Sequence, residues 1–204
     1  HLAPRVEASL PRYTHIPGHP DARSLDGTVP FAGYPMVRGD RLTPELLRSL
    51  PSTEQTVLAA QLGALLSALH IEDTSAPPMD RVPASYQPEN LDFVRGIVEN
   101  TLPEVFTADE MRTAREICDE VAALQSTLLP RVFLHYDIYP RHLYWERGNG
   151  PGRLGLIDFT DMCVGDPAID FAELFEYGPR FVEDVLARYG GRIDPGFLDR
   201  AWTY

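Results

Sequence analysis

Two short apolar runs, Val132 to Leu134 and Leu154 to Ile157, each end in polar loop sequence carrying an acidic residue, Asp137 and Asp158, and this pairing constrains the fold most. A buried strand that empties into a carboxylate is how a scaffold aims charge at a ligand. Between the runs, Leu143 to Trp145 can pair with Leu154 to Ile157 across Gly148-Asn149-Gly150-Pro151-Gly152, because that cluster supplies the positive-φ residues a hairpin turn needs. The hairpin brings both acidic loops to one edge.

A chain of 204 residues can bury a sizeable core as one large or two modest domains. No apolar run reaches the length of a membrane span, and His1-Leu-Ala-Pro-Arg5 lacks the apolar region of a signal peptide, so a cytoplasmic protein is expected. Cys118, in an expected helix, and Cys163, in an expected loop, have no disulfide or zinc-type spacing and read as packing residues. The net charge is −12, and all eighteen basic residues are arginine. Such a chain is a poor candidate for nucleic acid or an anionic membrane and a better one for a cationic ligand, although acidity also serves solubility alone.

Prolines 4, 11, 17, 20 and 30 leave residues 1 to 30 to turns and short edge strands, and Phe31 to Asp40 reads as a strand running into an extended connector. Helices dominate beyond it. Thr43 is the expected N-cap of a short helix with Pro44 in its first turn. Ser52 with Gln55, and Thr107 with Glu110, have capping-box spacing ahead of two apolar stripes, Val57 to Leu69 and Met111 to Leu124, both expected in the core. Residues 77 to 88 form a Pro-rich loop, and Leu91 to Val98 a shorter helix. Asp166-Pro167 opens a helix through Phe175, Phe181 to Tyr189 is another, closed by Gly190-Gly191, and a further helix begins near Pro195.

Asp137 on a tight loop can orient an alcohol or accept its proton. His142 and Asp158 offer a nitrogen and a carboxylate that could share a divalent cation, which would neutralise charge during phosphoryl transfer. Any one of these residues alone, His135 included, reads as a satisfied loop or turn residue rather than a site residue. Their joint spacing favours a site.

That spacing, His135-x-Asp137-x-x-x-x-His142 followed by Ile157-Asp158-Phe159 and Gly165-Asp166-Pro167-x-x-Asp170, resembles the catalytic loop and metal-binding segment of the aminoglycoside phosphotransferase superfamily, relatives of protein kinases. Most members have asparagine where this chain has His142. The histidine, with Pro30-Phe-Ala-Gly-Tyr-Pro-Met-Val-Arg-Gly39, Leu42-Thr-Pro-Glu-Leu-Leu47 and Glu176-Tyr-Gly178, is most similar to the aminoglycoside 2''-phosphotransferase branch.

The resemblance implies an α+β, protein-kinase-like fold: residues 1–33 from the nucleotide-binding N-lobe, a hinge over 34–42, and a mostly helical C-lobe over 43–204 with a small β hairpin at the catalytic loop. It implies Asp137 as the catalytic residue, His142 and Asp158 as Mg²⁺ ligands, and ATP or GTP as co-substrate. Imidazole is not the donor Mg²⁺ prefers, so the role of His142 rests on the match. Pro35 and Val37 match the hinge that binds the purine; a proline offers only a carbonyl and Val37 an N–H, the pair an adenine edge requires. Asp161 and Glu176 match positions that hold amino groups of the drug, with an exposed loop acid and a helix-end acid as the alternative. His135, Asp166 and Asp170 are expected to support the loop. The partner implied is a cationic aminoglycoside, and the protein is expected to be a monomer.

The departures are Thr160, where kinases often have glycine, and Arg141, which either neutralises phosphate or covers the surface. The superfamily also requires a glycine-rich phosphate loop and a strand lysine, and neither occurs in this sequence. The chain is therefore expected to be truncated at both ends. The function implied is phosphate transfer to an aminoglycoside hydroxyl; alternatives are a macrolide, choline, homoserine or other metabolite kinase, a non-catalytic binding relative, and a metal-dependent hydrolase using His135, Asp137 and His142.

Overall fold

A computed structural model of the protein describes residues 36–72, 82, 88–125, 131–148 and 150–204. The expected N-lobe remnant, residues 1–33, and Pro35 lie outside the described residues. The described chain is α+β, as the motifs imply. A two-residue strand β1 (Asp40–Arg41) leads into α1 (Pro44–Ser49), α2 (Ser52–Leu69), α3 (Pro88–Asn100) and α4 (Ala108–Gln125). Strands β2 (Val132–Leu134), β3 (Leu143–Glu146), β4 (Arg153–Leu156) and β5 (Cys163–Gly165) follow, and then α5 (Ile169–Ala172), a 3-10 helix over Glu173–Tyr177, α6 (Pro179–Leu186) and α7 (Phe197–Thr203).

The expected hairpin forms: β3 and β4 are antiparallel with Leu143 opposite Leu156 and Trp145 opposite Leu154. Those four side chains are buried while their neighbours in the strands are not, as period-two alternation requires of a half-buried sheet. Strand β1 extends the sheet on the far side of β3, with Asp40 opposite Trp145. Gly39, at φ +106°, lies against the Trp145–Glu146 backbone, where a Cβ would meet backbone atoms at 2.5 Å. On the helix side, Gln61 of α2 accepts from the Leu154 N–H at 2.8 Å and donates to the Gly152 carbonyl at 3.0 Å. The hairpin is thus stapled to α2.

The main core packs Leu58, Leu62 and Leu66 of α2 with Phe181, Val182 and Val185 of α6, and Phe171 and Leu174 belong to the same cluster. Gly63 lets the two helices approach, since a Cβ there would stand 2.8 Å from the Val185 carbonyl oxygen. The second sheet, β2 with β5, pairs Leu134 with Cys163 and is buried on both faces.

Several local expectations are corrected. Cys163 lies in strand β5, not a loop; burial pushes its thiol up to about 12. The Thr107–Glu110 capping box forms, with Thr107 N–H to Glu110 Oε2 at 2.7 Å and Glu110 N–H to Thr107 Oγ1 at 3.3 Å. At α2 Ser52 is already helical, Pro51 is the N-cap, and Gln55 donates to the Leu50 carbonyl instead. Helix α4 pairs with α3 around a separate small cluster, Val98, Met111 and Cys118, and its Ile117 stays 47% exposed. After Asp166 the helix begins at Ile169 and tightens to 3-10 at Glu173, two residues before its expected end.

Candidate active site

Strand β2 delivers His135, Tyr136 and Asp137, and the loop turns at once because Tyr136 adopts a left-handed φ of 70°. That conformation costs a non-glycine residue about 1 kcal/mol and needs support. Asp170, on α5 and 2% exposed, supplies it. Its Oδ2 accepts the His135 N–H at 2.9 Å and its Oδ1 the Tyr136 N–H at 2.7 Å. Asp170 Oδ2 also lies 3.1 Å from Nε2 of His70 at the end of α2, whose Nδ1 lies 2.7 Å from the Tyr189 hydroxyl.

His135 is fully buried, and both its ring nitrogens are used: Nε2 donates to the Ile157 carbonyl at 3.1 Å and Nδ1 accepts the Asp137 N–H at 3.2 Å. That assignment requires a neutral ring, and burial holds the imidazole below its ordinary range. The ring stacks edge-on against Phe159 at 4.5 Å. The Ile157 N–H donates to the His142 carbonyl at 3.1 Å, so the loop after β4 is tied to the loop after β2 from both sides.

These ties bring Asp137, His142 and Asp158 together. His142 Nδ1 faces two oxygens of Asp137, the carbonyl at 2.9 Å and Oδ2 at 3.2 Å, and so carries the hydrogen. Its Nε2 lies 3.6 Å from Asp158 Oδ2. Asp158, at φ 67°, is fixed by the Thr160 hydroxyl donating to its Oδ1 at 2.6 Å, a bond that holds the carboxyl below its usual range. Among the described residues no three His, Cys, Asp or Glu side chains converge as a metal cage. His142 Nε2 and Asp158 Oδ2, 3.6 Å apart, could both reach one cation whose remaining positions go to water and phosphate; the carboxylate is the donor type Mg²⁺ prefers and the imidazole is not.

Beside Asp137 opens a cavity of about 430 Å³, lined among others by Tyr139, Arg141, Asp161 and Glu173. Of the two acids expected to meet substrate, Asp161 lines it; Glu176 is exposed one 3-10 turn beyond Glu173. Glu173, which is not among the acids expected from the sequence, also lines the cavity. Its signal in the sequence was the three-residue spacing from Glu176, which puts the two acids on one side of a helix, and the 3-10 turn observed there eclipses them. Burial pushes the Glu173 carboxyl up, and its hydrogen bond to Tyr139, with burial, pushes that phenol up to about 12. Arg141 stacks on the Tyr139 ring, 4.3 Å from its centroid. Val37, of the expected hinge, packs against Gly155 of β4, where a Cβ would lie 2.2 Å from Val37 Cγ1. Asp166 binds Arg200 of α7 at 2.6 Å and accepts the hydroxyl of Tyr204, a cavity-lining residue, at 3.1 Å, without lining the cavity itself.

A small hairpin and a helical body converging on this loop pair define a protein-kinase-like phosphotransferase fold. The chain belongs to the phosphotransferase enzyme family, whose model it matches over residues 2–201. It is 28% identical over 174 residues to viomycin phosphotransferase of Streptomyces vinaceus, covering 84% of this chain and 58% of that protein. Among solved structures it resembles the GDP complex of wild-type aminoglycoside 2'-phosphotransferase-IIIa, with a TM-score of 0.69, 23% identity, and 97% of this chain and 64% of that one covered. A GDP and kanamycin complex of a 2''-phosphotransferase gives a TM-score of 0.68 at 24% identity, with 86% and 59% covered. The chain thus spans less than two thirds of these relatives.

Proposed function

We propose that the protein transfers the γ-phosphate of ATP or GTP to a hydroxyl of an aminoglycoside, as an antibiotic-resistance kinase. The observation that carries this reading is the placement of Asp137, with His142 and Asp158 beside it, on the rim of a cavity that also holds Asp161 and Glu173. Asp137 orients the acceptor hydroxyl and takes its proton, held in place by the His142 Nδ1–H and by a loop backbone anchored on Asp170. His142 Nε2 and Asp158 Oδ2 would hold Mg²⁺, which, when bound, neutralises charge on the phosphate oxygens. Asp161, Glu173 and Glu176 receive amino groups of the drug, a role that carboxylates around one opening suit through charge complementarity. Pro35 and Val37 present a carbonyl and an N–H to the purine. The reading further assigns residues 34–42 as the hinge and 43–204 as the C-lobe of a cytoplasmic monomer. No described helix is long and apolar enough to cross a membrane.

Phosphotransfer by the full-length protein across an aminoglycoside panel tests the reading. Asp137→Asn is expected to lower turnover by about 10²- to 10⁴-fold with little change in KM. Undiminished turnover overturns the mechanism. The relative named for viomycin supports a second acceptor class, so the panel includes viomycin, with a macrolide, choline and homoserine as further arms. Turnover on one of these and none on aminoglycosides replaces the substrate while leaving the chemistry intact.

A further inference from the structure

The lone pair on His142 Nε2 already has a partner. Arg141 donates Nε–H to it at 3.2 Å, and the same guanidinium reaches Asp137 Oδ1 with Nη2 at 3.3 Å. The guanidinium carbon lies over the Tyr139 ring, 4.3 Å from its centroid, while the Arg141 side chain remains 57% exposed. One imidazole nitrogen has one lone pair in the ring plane, so it can accept the arginine N–H or coordinate a metal, not both. His142 has no second nitrogen to offer, because Nδ1 is committed to the two Asp137 oxygens.

We propose that Arg141 is a built-in competitor for the metal site: its guanidinium and a divalent cation contend for His142 Nε2, and cation binding requires Arg141 to leave both His142 and Asp137. The exposed side chain makes release inexpensive, since only two hydrogen bonds and one ring contact hold it and water can replace them. Release also frees Asp137 Oδ1 for the acceptor hydroxyl, so cation binding and exposure of the catalytic carboxylate become a single event. The inference rests on the reading of His142 and Asp158 as metal ligands.

The test is the Mn²⁺ dissociation constant of the full-length protein, measured by electron paramagnetic resonance of free Mn²⁺, with thermal unfolding to verify that each variant is folded. Arg141→Leu is expected to tighten Mn²⁺ binding about three- to tenfold, the scale of one partly exposed charged hydrogen bond. Arg141→Lys keeps the charge but loses the planar fork that reaches both partners, and it is also expected to bind Mn²⁺ more tightly than wild type. An unchanged constant in Arg141→Leu overturns the proposal. So does tightening in the leucine variant alone, which would report plain charge repulsion. His142→Ala and Asp158→Asn must each weaken Mn²⁺ binding to the wild type; if neither does, the metal reading itself falls and takes this proposal with it.

Discussion

His70 and Asp170, one hundred residues apart in sequence, meet in the interior with Nε2 and Oδ2 3.1 Å apart. Through that contact the C-terminal end of α2 fixes the carboxylate on which the loop after β2 hangs. Asp170 meets three donors, the His135 and Tyr136 N–H groups and the His70 ring, and the two oxygens of its side chain accept from all of them.

Asp170→Asn is therefore expected to destabilise the fold by about 2–4 kcal/mol, because an amide N–H would face an N–H donor it cannot satisfy. Urea denaturation measures this. A loss below about 0.5 kcal/mol, within the range of ordinary surface substitutions, would show that the loop is ordered by something else.

Acidification should weaken the fold through His135. Burial depresses this imidazole from its ordinary 6.5, and its Nδ1 is occupied by the Asp137 N–H. Below the unfolded value the unfolded chain takes up a proton that the folded chain refuses. The contribution is thus fully present above that value and lost as pH falls through it. The urea midpoint should drop between about pH 7.5 and 5.5, with a shallower slope in His135→Asn, whose side chain does not titrate. Equal slopes in the two proteins would assign the loss elsewhere.

Arg200 sits between Asp166, at 2.6 Å, and Asp194, at 2.7 Å, and is only 8% exposed. Asp166 is itself buried, so Arg200→Met strands a carboxylate in the interior, at an expected cost of about 3–5 kcal/mol. Adding Asp166→Asn should recover part of that loss. Thermal unfolding of the single and double variants checks both statements, and strictly additive losses would contradict the pairing.

Gly155 is a packing requirement of the connector. A methyl there would stand 2.2 Å from Val37 Cγ1, and a β-branched side chain has little room to turn away. Gly155→Ala should cost about 1–3 kcal/mol and weaken nucleotide binding by displacing Val37; the further change Val37→Ala should restore both. Nucleotide titration of the three proteins decides it, and weakening that persists in the double variant would detach Gly155 from the connector.

The hairpin of β3 and β4 was legible in the sequence because its signal is local: two alternating runs and a glycine cluster leave few other ways to satisfy the backbone. The Thr43 cap and the Thr107–Glu110 box were legible for the same reason, each being a bond within one helical turn. The Ser52 box failed because Gln55 found the Leu50 carbonyl and Pro51 took the capping position. Strand β5 could not be read, since three residues carry no period and Cys163 to Gly165 become a strand only by lying beside β2.

From its sequence alone the chain determined which residue types stand at the ends of its apolar runs, and so the class of chemistry open to it: Asp137, His142 and Asp158 at fixed spacing, on a lysine-free, acidic background. Tertiary structure alone decided which nitrogen of His142 carries the hydrogen, that Arg141 donates to the other, that Glu173 joins Asp161 in the cavity lining, and that Asp170 carries the loop. The physical reason is range. Caps and turns are bonds over three or four residues and can be read along the chain, whereas a lone pair's partner or a cavity's lining depends on packing that joins residues up to 135 apart, as Tyr177 and Leu42 are.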